Sequence, residues 1–300
     1  MPSKGKVWIN GELVQWDNAT VHIMSHSFTR GSAVFEVISF HQTSNGTAVF
    51  RLDEHLKRLH RTTELLSMEL SYSAQEIEHG VMETIKANNL KNGFTKIIGY
   101  YGSPAFTLLP QQEKLDLSVF AIGEDLDIDP QQHVSACFCR WRKLDPTTVP
   151  IEAKVAGNYI NGMLARQEAI HRGFDIGILL DTSGFVAEGS IEAIFWVEGD
   201  VIKTAPLGRI LNSISRLSIL QAAKITGLKA VEEEVKPEKF MKADEIFFAS
   251  STCKVLPVSR INDRVLENTP GPVSRELTHL MSDICAGKDE RFNNWLFPVK

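Results

Sequence analysis

Apolar positions along this chain change period several times, and each change marks a new element. Over residues 6–16 they flank Asn10-Gly11, the pattern of two short strands joined by a tight hairpin turn. Residues 32–40 and 47–51 read as a second strand pair, joined through Ser44-Asn45-Gly46. The period then lengthens. Leu52, Leu56, Leu59, Thr63 and Leu66 recur at helical spacing with charges between them. Ser73 followed by Glu76 is a capping box for a second helix, which carries Ile77, Val81 and Ile85. Strand composition returns over residues 95–101 and 117–122.

Residues 123–132, GEDLDIDPQQ, are acidic, hold a proline and break the strand pattern. They predict a linker between a small N-terminal domain, 1–122, and a larger domain, 133–300. Beyond them come a strand over 134–141, a helix over 159–171 and a strand over 176–181. Thr182-Ser183-Gly184 turns the chain into strands over 185–188 and 193–197. Asn212 and Ser213 cap a helix over 214–225 that ends at Gly227. A strand over 245–249 leads into Ser250-Ser251-Thr252, and a helix over 273–285 lies near the C-terminus. The chain is therefore α/β (α and β mixed) in two parts. Its strands are too many for simple βαβ alternation, so an antiparallel or mixed sheet is expected. No GxGxxG follows a strand and no GxxxxGK[ST] occurs, which disfavours dinucleotide and Walker-type nucleotide binding.

Composition narrows the class further. The 300 residues suffice for two domains, and 43% hydrophobic with 23% charged residues is ordinary for a globular protein. A net charge of -5 with no Lys/Arg run argues against a nucleic-acid surface. The four cysteines form no CxxC pair, and Cys137 and Cys139 alternate as buried strand residues do, so free thiols and no metal site are expected. The N-terminal residues lack an apolar signal core and no run approaches membrane-spanning length, which sets a cytoplasmic expectation with no membrane partner.

Five features carry residue types suited to chemistry. Lys154 stands among Ala153, Val155, Ala156 and Gly157. A lysine amine becomes a nucleophile at neutral pH when burial or a nearby cation lowers its pKa, although read alone this one fits a surface loop better. Glu188 ends an apolar strand and precedes Gly189-Ser190, where a carboxylate can face a protonated heteroaromatic nitrogen or simply sit in a turn. Residues 212–216 open a helix, whose backbone N–H groups suit an anion and equally suit plain capping. Ser250, Ser251 and Thr252 put three hydroxyls at a strand end, for phosphate oxygens or for a turn. Arg51, between a strand and a helix, suits a bidentate phosphate clamp or an ordinary surface position.

Taken in order, VHIMSHSFTRGSAVFEV, VFRLDEHLKRL, EAKVAGNY, DIGILLDTSGFVAEGS, LNSISR and ADEIFFASS resemble one family almost from end to end. They resemble the class IV (fold-type IV) pyridoxal-phosphate aminotransferases, the group holding branched-chain and D-amino-acid aminotransferases and aminodeoxychorismate lyase. The resemblance implies a small N-terminal α/β domain and a larger domain with a mixed, barrel-like sheet. It implies pyridoxal 5′-phosphate as cofactor, with Lys154 bonded to it and shuttling the proton between substrate Cα and C4′. Glu188 then meets the pyridine nitrogen, and Tyr159 hydrogen-bonds the ring hydroxyl. Arg51, Ile214, Ser215, Ser250 and Ser251 hold the phosphate. A homodimer with active sites near the subunit boundary is implied as well.

The departures from the family bear on substrate. Branched-chain enzymes usually read Phe-Glu-Gly where Phe35-Glu36-Val37 stands, so valine narrows the space beside the substrate. They usually place an aromatic residue where Arg30 stands, and Tyr-x-Arg where Phe94-Thr95-Lys96 keeps only the positive charge. Ala193 stands where relatives often carry asparagine. Substrate contacts are thus expected from Arg30, Phe35, Val37, Phe94 and Lys96. Arg30 resembles a carboxylate-binding arginine of some D-amino-acid aminotransferases; an ion pair with Glu36 or with the acidic run accounts for it equally. The first expectation is transfer from a hydrophobic or branched-chain L-amino acid to a 2-oxo acid such as 2-oxoglutarate. A D-amino-acid or (R)-amine transaminase comes next, then an aminodeoxychorismate-type lyase.

Overall fold

The structure, a computed structural model, describes residues 5–126 and 131–300. These fall into two units. The first gathers residues 5–126, Ala153–Gly157 and Asp283–Lys300, and the second gathers 131–152 and Asn158–Ser282. Residues 127–130 of the expected linker lie outside the described residues.

The first unit runs β1 (Lys6–Ile9), β2 (Glu12–Gln15), α1 (His26–Arg30), β3 (Val34–Thr43), β4 (Gly46–Phe50), α2 (Leu52–Leu65), α3 (Ala74–Ala87), β5 (Gly93–Tyr100) and β6 (Asp116–Gly123). A final strand, Leu296–Pro298, joins beside β4 and completes a seven-stranded antiparallel sheet. Its order is final strand, β4, β3, β5, β6, β1, β2. Alternation along β3 decides which side chains face which way. Val34, Ile38 and Phe40 pack under α2 and α3 against Leu52, Leu56, Leu59, Ile77, Val81 and Ile85. Phe35 and Val37 are left on the opposite face.

Glu36 shares the packed face and is fully buried. His55 and Arg58, three residues apart on α2, close on it from one side of the helix. Arg58 Nε donates to Oε1 at 2.8 Å and His55 Nδ1 donates to Oε2 at 2.7 Å. Burial alone would raise the Glu36 pKa, but Arg58 and then His55 outweigh it and hold the carboxyl at about 2. Burial pushes His55 down to about 4 against the pull of Glu36, so its ring is neutral at pH 7.

The second unit contains β7 (Val134–Arg142), α4 (Tyr159–His171), β8 (Ile176–Leu180), β9 (Val186–Glu188), β10 (Ala193–Glu198), β11 (Val201–Thr204), α5 (Ile214–Thr226), β12 (Lys229–Glu232), α6 (Pro237–Phe240), β13 (Glu245–Ala249), β14 (Leu256–Ile261), β15 (Arg264–Val265) and all but the last turn of α7 (Pro272–Cys285). Its nine-stranded sheet runs β12, β11, β10, β13, β14, β7, β8, β9, with β15 beside β14. Parallel pairings of β14 with β7 and β7 with β8 sit among antiparallel ones, so the sheet is mixed. β9 also pairs with β10, and the sheet curls back on itself there. Glu188 stands at that closure, opposite Ala193 on one side and Leu179 on the other. Ile178, Val186, Ile194, Trp196, Phe240 and Phe248 form the core on one face. On the other, Ala165 and Ala169 of α4 pack against Cys137, Cys139 and Leu179.

The Glu36 cluster sets a pH dependence. The unfolded chain protonates His55 near 6.5, the folded chain only near 4, so unfolding takes up a proton between these values. Stability is therefore present above pH 6.5 and falls as pH drops toward 4; Glu36 extends the fall from 4.5 down to about 2. Scanning calorimetry across this range should show Tm decreasing with pH, and His55→Phe should flatten the upper part of that slope. Glu36→Gln should cost about 3–5 kcal/mol by stranding Arg58. A Tm independent of pH between 7 and 4 would contradict this assignment.

Candidate active site

In the first unit, Lys154 belongs to a strip that the sheet has captured. Val155 bridges Val34. The Phe35 N–H donates to the Lys154 carbonyl (3.1 Å), Ala156 to Ala33 (2.8 Å) and Gly157 to Gly31 (2.9 Å). The Lys154 N–H donates to Thr62 Oγ1 on α2 at 3.1 Å. The small residues around Lys154 thus serve close backbone approach: a Cβ on Gly157 would stand 3.0 Å from the Gly31 oxygen.

The side chain is correspondingly sheltered. Lys154 is 9% exposed, with Nζ 4.7 Å from the centroid of the Phe35 ring. Lys96 Nζ lies 4.7 Å from the same centroid. The β3–β5 register pairs Phe35 with Ile98 and Val37 with Lys96. Phe35, Val37, Phe94 and Lys96 therefore share the sheet face turned away from α2 and α3, and the Lys154 ammonium joins them. Burial draws the Lys96 pKa down. This face offers a half-buried apolar wall carrying two amines.

Arg51 stands between β4 and α2 at φ 53°, a backbone region that non-glycine residues rarely occupy. Its N–H donates to the Trp295 carbonyl at 2.7 Å, and its guanidinium lies 4.4 Å from the Trp295 ring centroid. Asp53 and Glu54 approach to 3.7 and 3.6 Å. Burial lowers its pKa while the two carboxylates raise it. A guanidinium fixed this way can serve as an anion clamp. Arg30 behaves differently. It is exposed at the end of α1 and donates to the Phe106 carbonyl at 3.3 Å. Glu36 is held by Arg58 and His55, so an Arg30–Glu36 ion pair is excluded.

The second unit holds the remaining candidates. Glu188 is 7% exposed. Its Oε1 accepts from Lys143 Nζ and its Oε2 from the Leu211 N–H at 3.2 Å. Tyr159 opens α4 and is half-buried. That helix reaches the turn after Glu188 closely, because a Cβ on Gly162 would stand 2.0 Å from the Ser190 oxygen. Ile214 and Ser215 are the first two residues of α5, both buried, behind the N-cap Ser213, whose Oγ accepts from the Arg216 N–H at 3.3 Å. Ser250 Oγ shapes its own turn, accepting from the Thr252 N–H at 3.2 Å and lying 2.8 Å from Thr252 Oγ1. Ser251 is half-buried, and its carbonyl accepts from Lys254 Nζ at 3.0 Å.

The whole arrangement has known counterparts. Residues 33–261 match the family model for amino-transferase class IV. The chain belongs to the class IV aminotransferases. A branched-chain-amino-acid aminotransferase of Pseudomonas aeruginosa is 34% identical over 99% of this chain and 98% of that protein. The structure of a branched-chain aminotransferase from Thermoproteus uzoniensis with norvaline superposes with a TM-score of 0.94 at 32% identity, covering 99% of this chain and 100% of that one. The T.th. branched-chain amino acid aminotransferase with pyridoxamine 5′-phosphate gives a TM-score of 0.96 at 29% identity over 100% of both chains. That enzyme has also been seen with N-(5′-phosphopyridoxyl)-L-glutamate and with 4-methylvaleric acid.

As a class IV aminotransferase the chain needs a donor set for pyridoxal 5′-phosphate, and its residues fit that group. A sheltered amine is present on Lys154. Each Glu188 oxygen takes one donor from the chain itself, and an ionised carboxylate accepts about four, so a protonated ring nitrogen can still be met. In the first unit the Arg51 guanidinium suits an anion, and in the second the buried helix N-terminus at Ile214–Ser215 does so by itself. Three contributors escaped sequence reading: Lys143 beside Glu188, the Leu211 N–H, and the Thr62 hydroxyl under Lys154. None carries a local pattern that sets it apart from an ordinary surface or helix residue.

Proposed function

We propose that this aminotransferase moves the amino group of a branched-chain L-amino acid to a 2-oxo acid, using pyridoxal 5′-phosphate. The observation that carries the reading is the Lys154 ammonium, sheltered over Phe35 on the face that also presents Val37, Phe94 and Lys96. The apolar members of that face suit a hydrocarbon side chain, and Lys96 suits the second carboxylate of a dicarboxylic partner. The branched-chain aminotransferases that the chain resembles point the same way.

The bound cofactor supplies an electron sink for the Cα–H bond. Lys154 would hold it through its amine and would take up and return the substrate Cα proton. Glu188 would face the ring nitrogen and Tyr159 the ring hydroxyl. Arg51, Ile214, Ser215, Ser250 and Ser251 would hold the phosphate, with the Ser250 hydroxyl also shaping the turn that presents Ser251. A D-amino-acid preference is favoured by one feature, the exposed Arg30 guanidinium, which can bind a carboxylate. Among the described residues no helix is long and apolar enough to cross a membrane. The four free thiols suit a reducing, cytoplasmic setting.

We also infer a homodimer. Ile23, Phe28, Phe106, Leu108 and Leu109 of the first unit are each at least 70% exposed. The loop carrying three of them is pinned by Arg30 on the Phe106 carbonyl and by His26 Nε2 at 2.8 Å from the Leu108 carbonyl. A rigid apolar projection of this kind suits a second copy of the chain. Light scattering should give twice the chain mass, and Phe106→Asp with Leu108→Asp should give a monomer; a monomeric parent protein would end this reading.

Mixing the yellow holoenzyme with separate L- and D-amino acids and (R)- and (S)-amines tests the substrate. L-Leucine, L-isoleucine and L-valine should bleach the visible band, with 2-oxoglutarate restoring it. A response confined to D-amino acids would overturn the L assignment. Lys154→Ala should lower turnover by roughly 10⁴-fold or more, since nucleophile and proton carrier are lost together.

A further inference from the structure

The carboxylate that the preceding reading places at the pyridine nitrogen has a cation of its own. We propose that Lys143 is a positioning residue that holds Glu188 aimed, and through it strengthens the hold on a protonated pyridine ring. The proposal rests on Glu188 being the partner of that ring.

Lys143 follows β7 and is braced on both sides. Its N–H donates to the Leu180 carbonyl of β8 at 2.8 Å. Asn161 of α4, two residues after Tyr159, donates to the Arg142 carbonyl at 2.8 Å and accepts from the Leu144 N–H at 3.3 Å. The ammonium is thereby delivered to Glu188 Oε1 with both side chains nearly out of solvent, 13% and 10% exposed. The other oxygen continues the chain of contacts. Oε2 accepts from the Leu211 N–H, the Leu211 carbonyl accepts from the Ser213 N–H at 2.8 Å, and Ser213 caps α5. One carboxylate thus links the Lys143 brace to the helix end that presents Ile214 and Ser215.

Two effects of Lys143 oppose each other. An ammonium near a protonated ring repels it, which weakens binding. Without Lys143, however, only the Leu211 N–H on Oε2 would hold the carboxylate. An untethered Glu188 is not aimed at the ring. The second effect is larger, because losing the aim removes the charge–charge contact while repulsion only reduces it.

The test compares two probes on resolved enzyme: pyridoxal 5′-phosphate and its analogue with carbon in place of the ring nitrogen. The native protein should prefer the natural cofactor. Lys143→Met should reduce that preference roughly tenfold by the ratio of dissociation constants, the scale of one charge-assisted hydrogen bond. Lys143→Arg should restore it. A merely structural role would weaken both probes equally and leave the preference unchanged, which overturns the proposal. If Lys143→Met does not fold, Lys143→Ala, which also removes the donor, is read the same way. Glu188→Gln separates the two levels. If it abolishes the preference while Lys143→Met leaves it intact, only the Lys143 role fails; if Glu188→Gln leaves it intact, the assignment of Glu188 to the ring fails and takes this proposal with it.

Discussion

A charge sealed inside the first unit fixes where everything around it must point. Glu36 is fully buried on β3, and only Arg58 and His55 of α2 make that tolerable. A one-residue slip of β3 would carry Glu36 to the other face and strand both partners. The cluster therefore locks α2 against the sheet and locks the register of β3. With the register locked, Phe35 and Val37 are committed to the opposite face, across from Ile98 and Lys96 on β5. The strip carrying Lys154 then attaches to the start of β3 by backbone hydrogen bonds, and Thr62 of the same α2 holds its N–H. Lys154 is thus positioned by a register that the Glu36 ion pair fixes.

The second unit solves a similar problem with a different outcome. Glu188 sits where β9 joins both β8 and β10, a place with little room for rearrangement. Lys143 and the Leu211 N–H occupy one position on each oxygen and leave acceptor capacity over. Glu36 takes three donors from its own chain, two from Arg58 and one from His55, while Glu188 takes two. Glu188 is therefore the one of the two with more acceptor capacity left over.

Much of this was legible in sequence. The Ser73–Glu76 capping box forms with both of its halves in place, and Asn10-Gly11 takes the positive φ values of a tight hairpin turn. The helical spacing from Leu52 and the apolar run at 245–249 appear as α2 and β13. What escaped has physical reasons. α1 has five residues, too few to show a period, and depends on the Ser25 cap. β14 contains Pro257, which reads as a strand breaker, and β11 and β12 span only four residues each. The grouping of Ala153–Gly157 with residues more than a hundred positions earlier has no local signal, because hydrogen bonds between backbones leave no mark in side-chain pattern. At the site, Lys154 and Glu188 stood out through family motifs. Lys143 did not, since one lysine after a strand resembles any other until its carboxylate partner is seen.

The central claim is that Lys154, among 300 residues with several sheltered lysines, is the amine that bonds the cofactor. Its most direct test is to reduce the holoenzyme with borohydride, digest it and map the phosphopyridoxyl mass by tandem mass spectrometry. The label should fall on the peptide containing Lys154 and on no other. A label on Lys96, Lys143 or Lys254, or none on a protein that still transfers amino groups, would contradict the account.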